Sequence, residues 1–275
     1  MKNSSVTFIG CGNMGRSLIG GLIANGLSVN SITGTDLNAK QRQATASQYN
    51  IEVLEDNQQA IKDADVVVLA VKPQSMQDAL ESIKAPLSLE KPLLISIAAG
   101  IKLSDLGKWA GKDLAIVRAM PNTPALIQAG ATALCANKYT SNTQRDLAET
   151  IMRSVGLALW LKDENLMDAV TALSGSGPAY YFLIMEVMEK AATQLGLPQE
   201  QARILTLQTA FGAAKMALES NHDAASLRKQ VTSSGGTTEQ ALNVLMNGDI
   251  EGLFREALEA AKKRSAELAT SLGGK

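Results

Sequence analysis

A glycine-rich loop near the N-terminus constrains the fold of this chain more than any other feature. The loop, Gly10–Gly15, has the pattern Gly-x-Gly-x-x-Gly and directly follows the apolar run Val6–Ile9. Between a strand and a helix, the first glycine permits a tight turn, the second lets the backbone approach a pyrophosphate, and the third lets the helix pack close to the strand. The free N–H groups at the start of that helix also favour an anion. The loop therefore predicts a dinucleotide-binding α/β unit.

The first part of the chain alternates short apolar runs with helix-forming segments. The predicted strands are Val6–Gly10, Ile32–Asp36, Val66–Val71, Leu93–Ala98 and Ala115–Ala119, with Ala131–Ala136 and Leu157–Leu161 closing the far edge of the sheet. The predicted helices between them are Gly15–Asn25, Ala39–Tyr49, Gln58–Ala64, Met76–Ile83 and Leu103–Trp109. Continuous apolar strands that alternate with helices predict an α/β fold with a doubly wound parallel sheet.

Strand patterns end near residue 163, and helical patterns follow. The predicted helices are Asn165–Leu173, Pro178–Leu195, Gln199–Ser220, Ala224–Val231, Thr238–Met246 and Ile250–Leu272. We therefore predict a dinucleotide-binding domain over residues 1–163 and an all-helical domain over 164–275. The segment Ala179–Met188 is apolar on nearly every side, which favours a subunit interface over a central core helix, because so small a domain has little interior to enclose it.

Composition excludes several classes of protein. The 275 residues carry a formal net charge of -1 and only 4% aromatic residues, which argues against a partner nucleic acid or a membrane surface. No apolar run is long enough to span a bilayer. Two cysteines and one histidine predict neither a disulfide framework nor a metal site. The chain begins with a strand-like run and no charged-then-apolar leader, which predicts a cytoplasmic protein.

The residue that ends the second predicted strand bears on the choice of dinucleotide. Asp36 stands where an acid usually bonds the adenosine ribose hydroxyls and repels a 2′-phosphate, which indicates NADH. Lys40 and Arg42 follow closely and could bind that phosphate, and Thr35 and Asn38 could donate hydrogen bonds to it. Both basic residues could equally be solvated on a helix face. The sequence leaves NADH and NADPH open.

A second glycine-rich loop, Ser233–Thr238, directly precedes a helical pattern that begins at Glu239. Paired glycines let backbone N–H groups converge, and the hydroxyls add donors, so the loop suits a small carboxylate without an arginine. A well-capped helix start explains the same residues, with Thr237 or Thr238 as the N-cap. The segment from Val231 onward is our candidate substrate site.

Three further segments follow predicted strands at the edge of the sheet where ligands bind in open α/β folds. They are Ala70–Gln74, Ser96–Gly100 and Met120–Pro124. A fourth, Leu173–Ala179, opens the apolar helix, and we expect it to face the reactive end of the cofactor. Close backbone approach alone would also explain its glycines.

Taken together, these motifs resemble the Δ1-pyrroline-5-carboxylate reductase family, in the order of the family and over nearly the whole chain. The motifs are Gly10-Cys11-Gly12-Asn13-Met14-Gly15, Val71-Lys72-Pro73, Ile97-Ala98-Ala99-Gly100, Met120-Pro121-Asn122-Thr123-Pro124, Leu173-Ser174-Gly175-Ser176-Gly177-Pro178-Ala179 and Ser233-Ser234-Gly235-Gly236-Thr237-Thr238. The resemblance implies a Rossmann-type sheet domain followed by an all-helical dimerisation domain, with dimers that can assemble into decamers. It also implies hydride transfer from NADPH or NADH to the C=N bond of 1-pyrroline-5-carboxylate, which gives L-proline in the last step of proline biosynthesis.

The resemblance also assigns residues, matched position by position. It implies that Thr238 is the catalytic residue, as proton donor or anchor of the imine nitrogen. The predicted substrate contacts are Val231, Ser233, Gly235, Gly236, Thr237 and Thr238. Together with the residues of the first loop and the second strand, the predicted cofactor contacts are Gly10, Gly12, Asn13, Met14, Gly15, Thr35, Asp36, Asn57, Ala70, Val71, Lys72, Pro73, Ala98, Ala99, Gly100 and Asn122.

Two departures from the family matter. Ser234 replaces a proline that many members carry, and Asp36–Asn38 replaces residues that many use toward the 2′-phosphate. Two other functions stay open: a dehydrogenase of a small hydroxy or keto acid, and a dinucleotide-binding regulator that is not an enzyme. The first is weakened because the helix after Gly177 carries no early lysine, the catalytic residue of β-hydroxyacid dehydrogenases. A protonated imine needs no such acid, because hydride addition gives a neutral amine.

Overall fold

The computed structural model describes residues 4–273, which form an α/β unit and a helical unit. The strands are β1 Val6–Ile9, β2 Ile32–Thr35, β3 Glu52–Leu54, β4 Val66–Leu69, β5 Leu93–Ser96, β6 Ile116–Met120, β7 Gly130–Ala136 and β8 Gly156–Trp160. The helices are α1 Asn13–Ala24, α2 Ala39–Tyr49, α3 Asn57–Ala60, α4 Met76–Glu90, α5 Leu103–Ala110, α6 Asn142–Arg153, α7 Met167–Val170, α8 Gly177–Gln194, α9 Gln199–Glu219, α10 Ala224–Gln230, α11 Thr237–Asn247 and α12 Ile250–Gly273.

The strands form one eight-stranded sheet in the order β3-β2-β1-β4-β5-β6-β7-β8. Every neighbouring pair is parallel except β6 and β7, which are antiparallel. The order of the chain reverses between β1 and β4, so the connections at the carboxyl ends of these two strands diverge and leave a crevice. The predicted doubly wound sheet is confirmed.

Two hydrophobic clusters cover the two faces of this sheet. Val6 and Phe8 of β1 pack with Leu18 and Leu22 of α1 on one face. Ile9 and the alternate residues of the central strands pack with α4 and α5 on the other. Because both faces are covered, the central strands are fully buried, which explains why their sequences are apolar without alternation.

The described residues divide into one compact unit of residues 4–176 and 261–273 and a second of residues 177–260. The last helix, α12, contributes to both units. Our domain boundary at residues 163 and 164 stays a prediction.

Large apolar side chains of the second unit are exposed in the single chain. On α8, only Gly177 is buried, while Tyr181 and Phe182 are 66% and 63% exposed. An open apolar groove of about 450 Å³ is lined by α8, α11 and α12, through Tyr180, Leu183, Ile184, Val187, Met188, Leu245, Ile250, Leu253, Phe254 and Ala257. The α8 helix is therefore not the buried core helix that was the alternative to an interface.

Two elements of secondary structure, β3 and α6, were not predicted from the sequence. The edge strand β3 has only three residues and an exposed Glu52, so its pattern is too short to stand out. The helix α6 was missed although Ser141 and Gln144 form a capping box at its start, a pattern visible in the sequence.

The helix α4 continues past Ile83, its predicted end, and includes Pro86. Since Pro86 has no N–H, the carbonyl of Ser82 one turn earlier lacks its helical donor. The side-chain amide of Gln58 donates to that carbonyl at 2.8 Å and replaces the missing bond. The proline is thus accommodated by a contact from a neighbouring helix.

Within residues 4–273, no helix is long and apolar enough to cross a membrane, and no group of three or more His, Cys, Asp or Glu side chains could hold a metal ion. Cys11 and Cys135 are both buried and free.

Candidate active site

A cleft of about 560 Å³ opens at the carboxyl ends of β1, β2 and β4, at the point where the strand order reverses. Its lining residues are Ile9, Gly10, Gly12, Thr35, Asp36, Leu37, Asn38, Gln41, Asn57, Ala70, Val71, Lys72, Ser75, Asp78, Ala79 and Ser82. Eight of them belong to the predicted cofactor set: Gly10, Gly12, Thr35, Asp36, Asn57, Ala70, Val71 and Lys72. The cleft is the crevice in which such sheets bind dinucleotides.

The three motif glycines have different surroundings. Gly10 has φ +100°, and a Cβ there would lie 2.7 Å from the carbonyl oxygen of Ala70. A Cβ on Gly15 would collide with the carbonyl oxygen of Gly10. A Cβ on Gly12 would meet nothing within 4 Å and would instead extend into open space. Gly10 and Gly15 are therefore required by the chain's own packing, whereas only Gly12 leaves room for a ligand.

The start of α1 is ready to accept an anion. The helix begins at Asn13, its N-cap is Gly12, and no side chain of the N-cap bonds to the first backbone N–H groups. These free donors and the positive end of the helix dipole suit a pyrophosphate, and the space beside Gly12 allows it to approach. The residues present therefore fit the nicotinamide dinucleotide that the motif predicts.

A small polar network forms the wall of the cleft beyond β2. The buried hydroxyl of Thr35 donates to Oδ1 of Asn57 at 2.7 Å, and Nδ2 of Asn57 reaches Oγ of Ser82 at 3.4 Å. Thr35 is therefore held as a partner of Asn57. The network fixes the position of Asn57 where the resemblance implies an adenosine contact.

Burial raises the pKa of the Cys11 thiol to about 11, and the nearby Asp36 carboxylate contributes to the rise. Burial also raises the pKa of Cys135. Both thiols are protonated near neutral pH and are not nucleophiles.

The remaining predicted cofactor contacts do not line the cleft. They are Asn13, Met14, Gly15, Pro73, Ala98, Ala99, Gly100 and Asn122. Both polar ends of Asn122 are engaged: Oδ1 accepts from the Ala131 N–H at 2.8 Å, and Nδ2 donates to the Ser174 carbonyl at 3.0 Å. The side chain thus joins the loop after β6 to β7 and to the segment before α8, and its role at the nicotinamide stays a prediction.

The second glycine loop, in the helical unit, makes a tight turn into α11. Gly235 has φ +74°, and the N–H of Gly236 donates to the Ser233 carbonyl at 3.1 Å. A Cβ on Gly236 would lie 2.8 Å from Oγ of Ser233. The loop brings Ser233, Gly235, Gly236, Thr237 and Thr238 together on an exposed surface, as the carboxylate-binding hypothesis requires.

One expectation about this loop was wrong. The N-cap of α11 is Gly236 and no side chain caps the helix, so neither Thr237 nor Thr238 is the N-cap. The Glu239 carboxylate accepts from the Gly235 N–H at 2.8 Å instead. The hydroxyls of Thr237 and Thr238 are therefore not used to cap the helix. This use of Glu239 was not predicted from the sequence, although a Glu in the first turn is a known capping signal.

The sheet order, the glycine loop and the cleft at the switch point define a dinucleotide-binding protein of the Rossmann type. Comparison with protein families agrees: residues 5–100 match the model "NADP oxidoreductase coenzyme F420-dependent". Residues 164–268 match the model "Pyrroline-5-carboxylate reductase dimerisation". The chain belongs to the pyrroline-5-carboxylate reductase family.

Individual relatives support this assignment over the full length. The pyrroline-5-carboxylate reductase of Pseudomonas aeruginosa is 50% identical over 273 residues, which cover 99% of this chain and 100% of that protein. The structure of a pyrroline-5-carboxylate reductase from Coxiella burnetii has a TM-score of 0.93 at 49% identity, covering 96% of this chain and 98% of that one. The Plasmodium falciparum pyrroline carboxylate reductase, solved with NADP bound, has a TM-score of 0.86 at 31% identity, covering 98% and 99%.

Proposed function

We propose that this chain is an NAD(P)H-dependent reductase that converts 1-pyrroline-5-carboxylate to L-proline in the last step of proline biosynthesis. The observation that carries the proposal is the 50% identity to the Pseudomonas aeruginosa reductase over the full length of both chains. The cleft beside Gly12 and the exposed loop around Gly235 support it, because they supply one site for a dinucleotide and one for a small carboxylate. Two buried free cysteines agree with a location in the cytoplasm.

The bound dinucleotide supplies a hydride. The start of α1 binds its pyrophosphate through backbone N–H groups, and the residues after β4 hold the end that reacts. In the helical unit, the turn around Gly235 and Gly236 holds the carboxylate of the substrate, while Thr238 orients or protonates the imine nitrogen. Orientation and charge placement then provide most of the rate, since the iminium carbon accepts hydride without a further acid.

We also propose that two copies form a homodimer through the helical unit. The groove lined by Leu183, Val187 and Leu253 is almost entirely apolar, and a second copy would remove it from water. The matched dimerisation model covers the same helices. Assembly of dimers into a decamer stays a prediction from the family resemblance.

The proposal is tested by steady-state reduction of 1-pyrroline-5-carboxylate with NADH and NADPH in parallel, and by oxidation of 3-hydroxy acids with NAD+ and NADP+ in separate reactions. We expect turnover on the imine with at least one dinucleotide and none on the hydroxy acids. Dinucleotide binding without turnover on any of these compounds would contradict the proposal and favour a regulator.

The role of Thr238 is tested by Thr238→Ala. We expect kcat to fall about tenfold to a hundredfold, because a hydrogen bond to a charged group is worth about 1.5–3 kcal/mol, while the dissociation constant of the dinucleotide stays the same. Thr238→Ser keeps the hydroxyl and should restore most of kcat. Parental kinetics in Thr238→Ala would remove this residue from the mechanism.

A further inference from the structure

The carboxylate of Asp36 is held in a fixed orientation at the adenosine end of the cleft. Its Oδ2 accepts from the Cys11 N–H at 3.0 Å, and its Oδ1 accepts from the Asn38 N–H at 2.8 Å. Each carboxylate oxygen can accept a second hydrogen bond, so both remain available to ribose hydroxyls. Because two backbone groups hold this carboxylate, it cannot easily turn away from an incoming phosphate.

The Arg42 guanidinium, which could offset the negative charge of Asp36, is bound to other groups. Nη1 of Arg42 donates to the carbonyls of Asp36 and Leu37 at 2.8 and 3.1 Å. Nη2 of Arg42 forms an ion pair with Oε2 of Glu55 at 2.7 Å. The Arg42 side chain is 19% exposed and does not line the cleft. Planar guanidinium groups bind phosphate best when two parallel N–H bonds are free to face it, and here Nη2 is bound to Glu55 and Nη1 to two backbone carbonyls.

The charged residues that line the cleft disfavour the 2′-phosphate that distinguishes NADPH from NADH. Asp36 and Asp78 are acidic, and the single basic residue among the lining residues, Lys72, follows β4 rather than β2. Lys40 is exposed on the first turn of α2 and is not part of the lining. A phosphate monoester adds about −1.5 to −2 charges near pH 7, so it would approach Asp36 with no guanidinium among the lining residues to meet it.

We propose that Glu55 is a specificity-determining residue. By holding Arg42 against the end of β2, it keeps this guanidinium from binding the 2′-phosphate of NADPH. The chain therefore prefers NADH. The inference rests on the proposed use of a nicotinamide dinucleotide. Asp36 by itself would weaken NADPH binding by repelling the 2′-phosphate. The Glu55–Arg42 ion pair adds to this effect, because it removes the guanidinium that would otherwise attract that phosphate.

The test measures binding rather than turnover. NADH and NADPH are titrated into the full-length protein without substrate, and binding is followed by the fluorescence of the reduced nicotinamide. We expect NADPH to bind at least about tenfold more weakly than NADH, which corresponds to about 1.4 kcal/mol. The difference should shrink as salt is added, because it arises from charges near the surface.

Glu55→Ala should release Arg42 toward the cleft. We expect the dissociation constant of NADPH to fall about three- to tenfold, and that of NADH to stay nearly constant, since Glu55 is 70% exposed and its pairing is partly screened. Adding Arg42→Ala to this variant should abolish the gain. Glu52→Ala is the matched control, because it removes the same charge from the neighbouring strand β3 without releasing Arg42.

Equal affinity of the parent protein for both dinucleotides overturns the inference. An unchanged affinity ratio in Glu55→Ala does so too, and Glu55→Gln repeats that measurement with the side-chain volume retained. These binding measurements do not depend on whether the protein reduces 1-pyrroline-5-carboxylate. Selective NADH binding by a protein that does not reduce the imine would remove the proposed substrate and leave the role of Glu55 intact.

Discussion

At the scale of single residues, the glycines of the first loop separate ligand binding from packing. Gly10 and Gly15 have backbone oxygens where a Cβ would lie, whereas Gly12 has open space. The motif spacing predicted all three, but only the surroundings show which one leaves room for a ligand. The roles of Asp36 and Arg42 were less predictable, because Glu55 reaches Arg42 from 13 positions away, across a strand the sequence analysis missed.

Gly12→Val should abolish dinucleotide binding without unfolding the protein. The Cβ of the added side chain meets nothing within 4 Å and extends into the space required by the pyrophosphate. Because valine is a poorer N-cap than glycine, we expect the free energy of unfolding to fall by about 1 kcal/mol or less. Dinucleotide titration and thermal melting measure the two effects.

Gly10→Val is the contrasting variant, because its Cβ would collide with the Ala70 carbonyl at a positive φ. It should lower the melting temperature as well as dinucleotide binding. Normal dinucleotide binding by Gly12→Val would show that the pyrophosphate lies elsewhere.

At the scale of secondary structure, buried parallel strands were the most predictable elements and helix ends the least. Apolar runs such as Val66–Leu69 are continuous because both faces of the sheet are covered. The end of α4 was misjudged because Pro86 is normally a helix breaker, and only the amide of Gln58 explains its place there. The start of α11 was misjudged because Glu239, rather than a threonine, bonds to the loop.

The bond between Glu239 and the Gly235 N–H has a measurable consequence for the substrate. A substrate carboxylate bound by this loop would compete with the Glu239 carboxylate for the same donor and would be repelled by its charge. We therefore expect Glu239→Gln to lower the KM for 1-pyrroline-5-carboxylate about two- to fivefold, as judged from initial rates at saturating dinucleotide.

Glu251→Gln, in the first turn of α12, is the control, because it removes one negative charge from the same unit without a bond to the loop. A raised KM in Glu239→Gln would mean that the carboxylate holds the loop in its binding shape rather than competing with the substrate.

At the scale of the whole molecule, the two units differ in how completely they bury their own side chains. The sheet unit has two extensive buried clusters, whereas α8, α11 and the first part of α12 expose large apolar residues. The sequence predicted this difference through the apolar run Ala179–Met188, because a helix that is apolar on every side requires cover. It could not specify which faces stay open in one chain.

Leu183→Glu should weaken the dimer, because it places a charge in the apolar groove. We expect sedimentation to show a shift to monomer, and the melting temperature to fall and to depend on protein concentration. Leu89→Glu on α4, an equally non-conservative change at a residue that is 80% exposed in the sheet unit, should change neither. An unaltered sedimentation profile for Leu183→Glu would place the interface on another surface.

The proline inside α4 has one more consequence. In a regular helix each interior carbonyl accepts from the N–H four residues later, but Pro86 has no N–H and leaves the Ser82 carbonyl open to Gln58. Ser82 and Asn57, the residue before Gln58, both line the cleft. The hydrogen bond that is missing inside α4 is therefore replaced by one that links α3 to α4 at the wall of the cleft where we expect the adenosine. Gln58→Ala should therefore lower the melting temperature in the parent chain but have little effect when combined with Pro86→Ala, because the backbone N–H restored at position 86 can bond to the Ser82 carbonyl.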